Sequence, residues 1–201
     1  MKIAVCDYGA GNVRSVELAF TRLGGQLVDD VAGADLAVLP GVGSARSAMA
    51  ELRRGGLDEA LRARVREGRP VLGICLGLQL ALEESEEDGG VRGLGLVPGR
   101  AVRLRDGRVP RIGWAAVAKS NLTSVRLRSS PDDRNQVETW LPDGEAFWFA
   151  HSYAAESPAT VATSEGVAAI VEHGSFTGVQ FHPEKSGAAG ARFLERCLSR
   201  A

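Results

Sequence analysis

The chain opens with short, continuous apolar runs alternating with segments whose apolar residues recur every three or four positions. Lys2 to Asp7 is a mostly apolar run closed by Tyr8-Gly9-Ala10-Gly11, which predicts a strand and a tight turn. Asn12 then stands where it can cap a helix whose inward stripe is Val13, Val16, Phe20 and Leu23, stopped by Gly24-Gly25. Gln26 to Asp30 predicts a second strand and Asp35 to Leu39 a third, which ends at Pro40-Gly41. Helical spacing returns with Leu57, Leu61 and Val65. Gly68 and Pro70 punctuate it, and Val71-Leu72-Gly73-Ile74 predicts a buried strand. This order of elements is that of a parallel sheet with right-handed crossovers.

From about residue 91 the pattern changes. Arg100 to Leu104, Arg108 to Ile112, Ala146 to Ala150, Val167 to Glu172 and Thr177 to Phe181 are short runs without helices between them, and predict hairpin or edge strands. A last helix is predicted over about Gly187 to Arg200, with Ala191, Leu194 and Leu198 facing in. Ala115 to Arg134 is polar and ends in Pro131-Asp132-Asp133-Arg134, which predicts a surface excursion. Neither an internal repeat nor an interdomain linker is visible. The expected architecture is one α/β domain over residues 1–201. Its sheet is open and mostly parallel, flanked by helices, with an additional antiparallel strand region.

Composition narrows the function. A chain of 201 residues is long enough for one real core. With 24 basic and 25 acidic residues the formal net charge is −1, so there is no electrostatic case for nucleic acid or an anionic membrane. No apolar run approaches the roughly 20 residues that span a bilayer, and the opening Met1-Lys2-Ile3-Ala4-Val5 reads as a strand rather than a signal peptide. Cys6, Cys75 and Cys197 are far apart and odd in number, which fits neither a disulfide framework nor a metal site. A reducing, cytoplasmic setting without metal or cofactor is expected.

Three motifs carry chemistry, each at a predicted strand end. In Gly73-Ile74-Cys75-Leu76-Gly77 a cysteine stands between a buried strand and a helix, flanked two residues away on each side by glycine. That is the pattern of a nucleophile elbow. A helix start there favours a thiolate and presents free N–H groups to an oxyanion. A small buried cysteine packed under a helix has the same local pattern. In Gln180-Phe181-His182-Pro183-Glu184-Lys185 a strand delivers His182, Pro183 ends it, and Glu184 follows. A cysteine nucleophile needs such a base, and the base needs a carboxylate to fix its tautomer. Pro40-Gly41-Val42-Gly43-Ser44 is a glycine turn that lets a peptide N–H face an oxyanion, and it lacks the Gly-Lys-Ser/Thr ending of a phosphate loop. Open α/β sheets bind ligands at the carboxyl ends of their strands, where all three converge.

Together with Leu78-Gln79, Lys185-Ser186 and the opening Asp7-Tyr8-Gly9-Ala10-Gly11-Asn12, these motifs resemble the class I (triad) glutamine amidotransferases, which have a flavodoxin-like fold. Within that family the chain looks most like the glutaminase subunits of imidazole glycerol phosphate synthases, which serve histidine biosynthesis. Pro40-Gly41-Val42-Gly43, Arg111-Ile112-Gly113-Trp114 and His151-Ser152-Tyr153 carry the closer likeness. The resemblance implies that Cys75 attacks the side-chain amide of glutamine, His182 shuttles the proton and Glu184 orients it. It implies oxyanion donors at Leu76 and near Val42, the latter after a peptide flip, and glutamine contacts at Gly43, Gln79, Ser152 and Tyr153, with Glu87 as a further contact. Ammonia would pass to a (β/α)8-barrel cyclase partner that converts PRFAR to imidazole glycerol phosphate and AICAR. Asn12, Trp114, Trp148 and Lys185 would lie near that interface, although both tryptophans fit core packing equally well.

The sequence departs from the family in two places. The Asn-Gln-Val that usually follows Gly113-Trp114 comes only at Asn135-Gln136-Val137, so 115–134 reads as an insertion of about twenty residues, which a surface loop tolerates. The stretch from Tyr153 to Val179 is several residues short, as a trimmed hairpin would be. Other readings are a class I amidotransferase serving pyridoxal phosphate, aminobenzoate or purine synthesis, a non-catalytic binding module on the same fold, and a cysteine peptidase.

Overall fold

In the computed structural model, which describes residues 1–9, 11–120 and 143–201, strands and helices alternate through the first half of the chain. β1 (Lys2–Val5), α1 (Val13–Arg22), β2 (Gln26–Leu27) and β3 (Leu36–Leu39) come first. α2 (Ala45–Arg54), α3 (Leu57–Arg66), β4 (Val71–Ile74) and α4 (Leu76–Ala81) follow. β3 and β4 are buried at every position, as strands covered on both faces must be.

The second half is mostly strand. β5 (Glu84–Ser85), β6 (Val91–Arg92), β7 (Arg100–Arg103), β8 (Arg111–Ala116), β9 (Ala118–Lys119), β10 (Ala146–His151) and β11 (Tyr153–Glu156) precede β12 (Thr160–Ser164), β13 (Val167–His173), β14 (Phe176–Val179) and α5 (Gly187–Arg200).

The main sheet has the order β2-β1-β3-β4-β14-β13-β12-β9. Its first five strands run parallel and the last three antiparallel. The expected open, mostly parallel sheet with an antiparallel extension is therefore present. One core, with Met49, Leu52, Leu61 and Leu78, packs α2, α3 and α4 on one face. A second, with Val16, Phe20, Phe193 and Leu194, packs α1 and α5 on the other. A four-stranded sheet, β11-β7-β5-β6, packs into the first core through Ala101 and Ala155, and the pair β10-β8 packs into the second through Phe147 and Phe149.

Several local expectations need correction. The strand expected over Gln26–Asp30 is two residues long and exposed, because the acidic pair Asp29-Asp30 does not continue an edge. Asn12 stands at the start of α1 without capping a backbone N–H; its Oδ1 accepts from the Ser15 hydroxyl at 2.8 Å instead. The inward face of α5 runs through Gly190, Phe193, Leu194 and Cys197, with Ala191 and Leu198 at its margins. Of the expected excursion, Ala115 and Ala116 complete β8, Val117 is fully buried and Ala118–Lys119 pair with β12. Val117 anchors this stretch to the core; residues 121–134 and Asn135-Gln136-Val137 lie outside the described residues. Between Tyr153 and Val179 the β12–β13 connection is only Glu165-Gly166, both at positive φ (52° and 79°), which suits the twist of a two-residue hairpin turn.

Candidate active site

β4 ends at Ile74, α4 begins at Leu76, and Cys75 makes the whole connection. Its backbone sits at φ 53°, ψ −109°, a region that a non-glycine residue occupies only under the strain typical of functional turns. The two flanking glycines are needed sterically. A Cβ at Gly77 would lie 1.9 Å from the Leu39 carbonyl oxygen, and one at Gly73 2.7 Å from the Phe176 ring. Cys75 N–H donates to Val179 O at 2.7 Å, which ties the elbow to the neighbouring strand β14. Leu76, the first residue of α4, has an N–H without a helical acceptor. α4 has only six residues, so the helix dipole expected to favour the thiolate is short, and side-chain partners of the sulfur matter more.

β14 pairs with β4 in parallel register, Val179 opposite Ile74, so the chain leaving β14 passes beside Cys75. His182 follows, held by its N–H to Trp148 O at 2.9 Å and its carbonyl to Ser186 Oγ at 2.7 Å. Its Nδ1 lies 2.9 Å from Glu184 Oε1, and the two side chains are only 4% and 1% exposed. The carboxylate accepts, so Nδ1 carries a proton and Nε2 is left for the sulfur. Burial alone would push this imidazole down. Its hydrogen bonds with Cys75 and Glu184, and the charges of both, outweigh burial and raise it to about 9.

Cys75 opens onto a cavity of about 250 Å³ that Val42, Gly43, Leu76, Gln79, Ser152 and Tyr153 line, together with Glu87. Every substrate or oxyanion residue expected from the sequence is thus on one wall or another of this cavity. His182 and Glu184 stand behind the sulfur, along a narrow crevice that also includes Asn12 and Val42. Gly43 has φ +93°, and among the described residues neither the Val42 nor the Gly43 N–H makes a hydrogen bond, so this turn is unencumbered by ladder bonds. Gly41 packs against the elbow: a Cβ there would come within 2.8 Å of Leu76 Cβ and Tyr8 Oη. Glu87 accepts from the Ala45 N–H at 2.9 Å, and burial raises its carboxyl above the ordinary range.

Of the four residues expected near a partner, Trp114 and Lys185 are exposed and Asn12 and Trp148 half-buried. Trp114 is 57% exposed and meets Trp148 edge-on at 6.1 Å. That exposure removes core packing as an account of Trp114. Lys185 is exposed on the turn that carries Glu184. Ile112, not singled out from the sequence, is 62% exposed on the same face of β8 as Trp114.

Two further residues of the site were missed. His151 lines the cavity; its Nδ1 donates to Tyr153 O at 2.9 Å, and burial lowers the ring to about 4, with Arg111 and His182 adding to the effect against that bond. Gln180 is fully buried with its Nε2 3.6 Å from Cys75 Sγ. Its place two residues before His182 was the only signal in the sequence. Among the described residues there is no cluster of His, Cys, Asp and Glu able to hold a metal ion, and no helix long and apolar enough to cross a membrane.

The glutamine amidotransferase class I family model matches residues 15–201. The chain is 41% identical to imidazole glycerol phosphate synthase subunit HisH of Chlorobaculum tepidum, across 96% of this chain and 97% of that one. It is 43% identical to the HisH subunits of Symbiobacterium thermophilum and Methanothermobacter thermautotrophicus, across 96% of this chain and 91% and 95% of theirs. Among solved structures, a glutamine amidotransferase superposes with TM-score 0.71 at 19% identity, covering 98% of this chain and 97% of that one. A chain of PurLQS from Thermotoga maritima superposes with TM-score 0.68 at 18% identity, covering 99% and 97%. At such identities the two structures speak for the fold.

Proposed function

Since the chain belongs to the class I glutamine amidotransferase family, we propose that it is the glutaminase subunit of a cytoplasmic imidazole glycerol phosphate synthase. The observation that supports this best is the arrangement of Cys75 at a strained elbow, facing the buried His182–Glu184 pair on one side and the cavity on the other. The near-full-length likeness to HisH subunits favours this pathway over the other amidotransferase systems.

In this reading glutamine enters the cavity with its side-chain amide at Cys75. The thiol proton passes to His182, and the sulfur attacks the amide carbon. The resulting oxyanion is met by the Leu76 N–H and by a peptide N–H of the Val42–Gly43 turn. His182, kept protonated at neutral pH by its partners, gives its proton to the departing nitrogen, and ammonia leaves behind a thioester. Glu184 stabilises the imidazolium throughout and holds Nε2 towards the sulfur. Water, activated by the now neutral imidazole, attacks the thioester; glutamate leaves and the thiolate returns. Ser152, Tyr153, Gln79 and Glu87 hold the amino-acid end of the substrate. Ile112 and Trp114, exposed on β8, together with Asn12, Trp148 and Lys185, form the face that meets a (β/α)8-barrel cyclase. That partner joins the ammonia to PRFAR, giving imidazole glycerol phosphate and AICAR.

Glutamate release, measured for the chain alone and with the cyclase and its nucleotide ligand, tests the proposal. Strong activation by the cyclase is expected, and Cys75→Ala should lower the rate by more than about 10³-fold without unfolding the chain. Hydrolysis that survives Cys75→Ala would remove the cysteine from the mechanism. Hydrolysis indifferent to the cyclase would leave a glutaminase of another pathway.

A further inference from the structure

Three hydrogen bonds connect the reactive sulfur to a backbone carbonyl on the far side of the cavity. Gln180 Nε2 lies 3.6 Å from Cys75 Sγ. Gln79 Nε2 lies 3.1 Å from Gln180 Oε1 and 2.7 Å from Tyr153 O. The order of these bonds fixes both amide orientations. A backbone carbonyl only accepts, so the Gln79 atom that meets Tyr153 is its NH2. That nitrogen has a second proton, and the Gln180 atom beside it must then be the oxygen. The Gln180 NH2 is left facing the sulfur. Turning either amide over would set donor against donor or oxygen against oxygen. Gln180 is fully buried and Gln79 nearly so, so a mismatched amide there would leave hydrogen-bonding groups unpaired at full cost.

We propose that Gln180 is a catalytic residue that donates a hydrogen bond to the Cys75 thiolate, with Gln79 and the Tyr153 carbonyl holding it in the donating orientation. For the steps in which the sulfur reacts, this inference rests on the glutaminase reading. Gln180 transfers no proton; the thiol proton goes to His182. A charged sulfur is a far better acceptor than a thiol or a thioester, so the bond acts twice in the cycle. It holds the thiolate before attack. It acts again when water has added to the thioester and the C–S bond breaks, its electron pair returning to the sulfur. The effect on attack is mixed, since a stabilised thiolate is a weaker nucleophile, whereas the effect on thiolate expulsion is wholly favourable.

The test is the pH dependence of alkylation of the full chain by iodoacetamide, for the parent and for Gln180→Met, with circular dichroism to confirm folding. Burial pushes the thiols of Cys6 and Cys197 up to about 12, and of the three thiols Cys75 is the one that lines the cavity, so the reagent reads Cys75. In Gln180→Met the half-maximal pH of alkylation should move upward. Below that midpoint, losing a hydrogen bond to a charged acceptor lowers the thiolate fraction about tenfold. The greater nucleophilicity of the more basic thiolate returns part of this, for a net fall of about three- to fourfold. A folded variant with an unmoved midpoint would overturn the proposal. Should the variant not fold, the parent decides: the Gln180 side-chain NH2 resonances must follow the alkylation midpoint, and constant resonances overturn the proposal equally. Iodoacetamide reports on the sulfur whatever the substrate is. A moved midpoint in a chain that does not hydrolyse glutamine would sink the proposed function and leave the hydrogen bond standing.

Discussion

Gly77→Ala adds one carbon at the most crowded point of the elbow. The new Cβ would stand 1.9 Å from the Leu39 carbonyl oxygen and 2.9 Å from its carbon. Reaching even 3.0 Å requires the two backbones to separate by at least about 1.1 Å. Leu39 cannot yield, because it is fully buried at the end of β3, which is paired with β1 on one side and β4 on the other. The movement falls on the start of α4, and therefore on Leu76 and Cys75. Overpacking of this kind costs about 1–3 kcal/mol. Replacing a helical glycine by alanine returns about 1 kcal/mol through propensity, leaving a net destabilisation of about 0–2 kcal/mol. Activity should suffer more, since a displacement of about 1 Å in a reacting group costs about 100-fold. Urea unfolding and glutamine hydrolysis in the presence of the cyclase measure the two effects separately. A variant as stable as the parent or more so, with parental kcat/KM, would mean that helix propensity wins and that the elbow does not depend on a bare backbone at this position.

Stability should depend on pH in two opposed ways. His182 is raised from 6.5 to about 9, so the folded chain holds its proton more tightly than the unfolded chain. That contribution of about 3 kcal/mol is complete below pH 6.5 and is lost as pH rises through 9. His151 is lowered to about 4, so stability is also lost as pH falls from 6.5 towards 4. Urea midpoints across this range should pass through a maximum, and Glu184→Gln should make the alkaline limb shallower, with Cys75 supplying what remains; an unchanged alkaline limb would separate Glu184 from the imidazole. Arg64 is buried in α3, donating to the carbonyls of Val31, Ala34, Asp35 and Pro70 at 2.7–3.1 Å. Arg64→Met leaves the Val31 carbonyl without that donor, while Ala34 O keeps Arg69 and Pro70 O keeps the Ala37 N–H; it should destabilise the chain by about 1–3 kcal/mol in urea unfolding, with the alkylation of Cys75 unchanged in the still-folded protein.

The parts that could be read from the sequence are those whose physics is local. Gly73 and Gly77 flank Cys75 because the turn excludes a Cβ at both places, so the elbow is written in adjacent letters. His182-Pro183-Glu184 likewise places base and carboxylate within one short turn. β3 and β4 were visible because full burial leaves an unbroken apolar run. β5 and β6, two residues each, are too short to show any period, and β11 is half alanine, a residue without strand preference. Arg64 lies on an amphipathic helix where an arginine ordinarily faces water; only the carbonyls of a loop some thirty residues earlier in the chain reveal its role. Gln180 was hidden for the same reason. Which end of its amide faces the sulfur depends on Gln79 and on the Tyr153 carbonyl, both remote in the chain.

This difference between local and distant determinants also divides the site by mechanical character. Cys75, Gln180 and His182 all leave the ends of β4 and β14, adjacent central strands whose register is fixed by pairing along their whole length. The separation of Cys75 and His182, the proposed nucleophile and base, is therefore set by two paired central strands. The opposite wall of the cavity belongs to the junction of β10 and β11, where Ser152 and Tyr153 lie, and to the Val42–Gly43 turn. Val42 is 41% exposed, and no backbone hydrogen bond anchors its N–H among the described residues. On the proposed mechanism, a partner docked against the exposed face of β8 would act on this wall and could alter the proposed donor at the Val42–Gly43 turn without moving the proposed triad. On the proposed mechanism, control of the reaction through the Val42–Gly43 turn, with Cys75, Gln180, His182 and Glu184 already in place, is what this arrangement would permit.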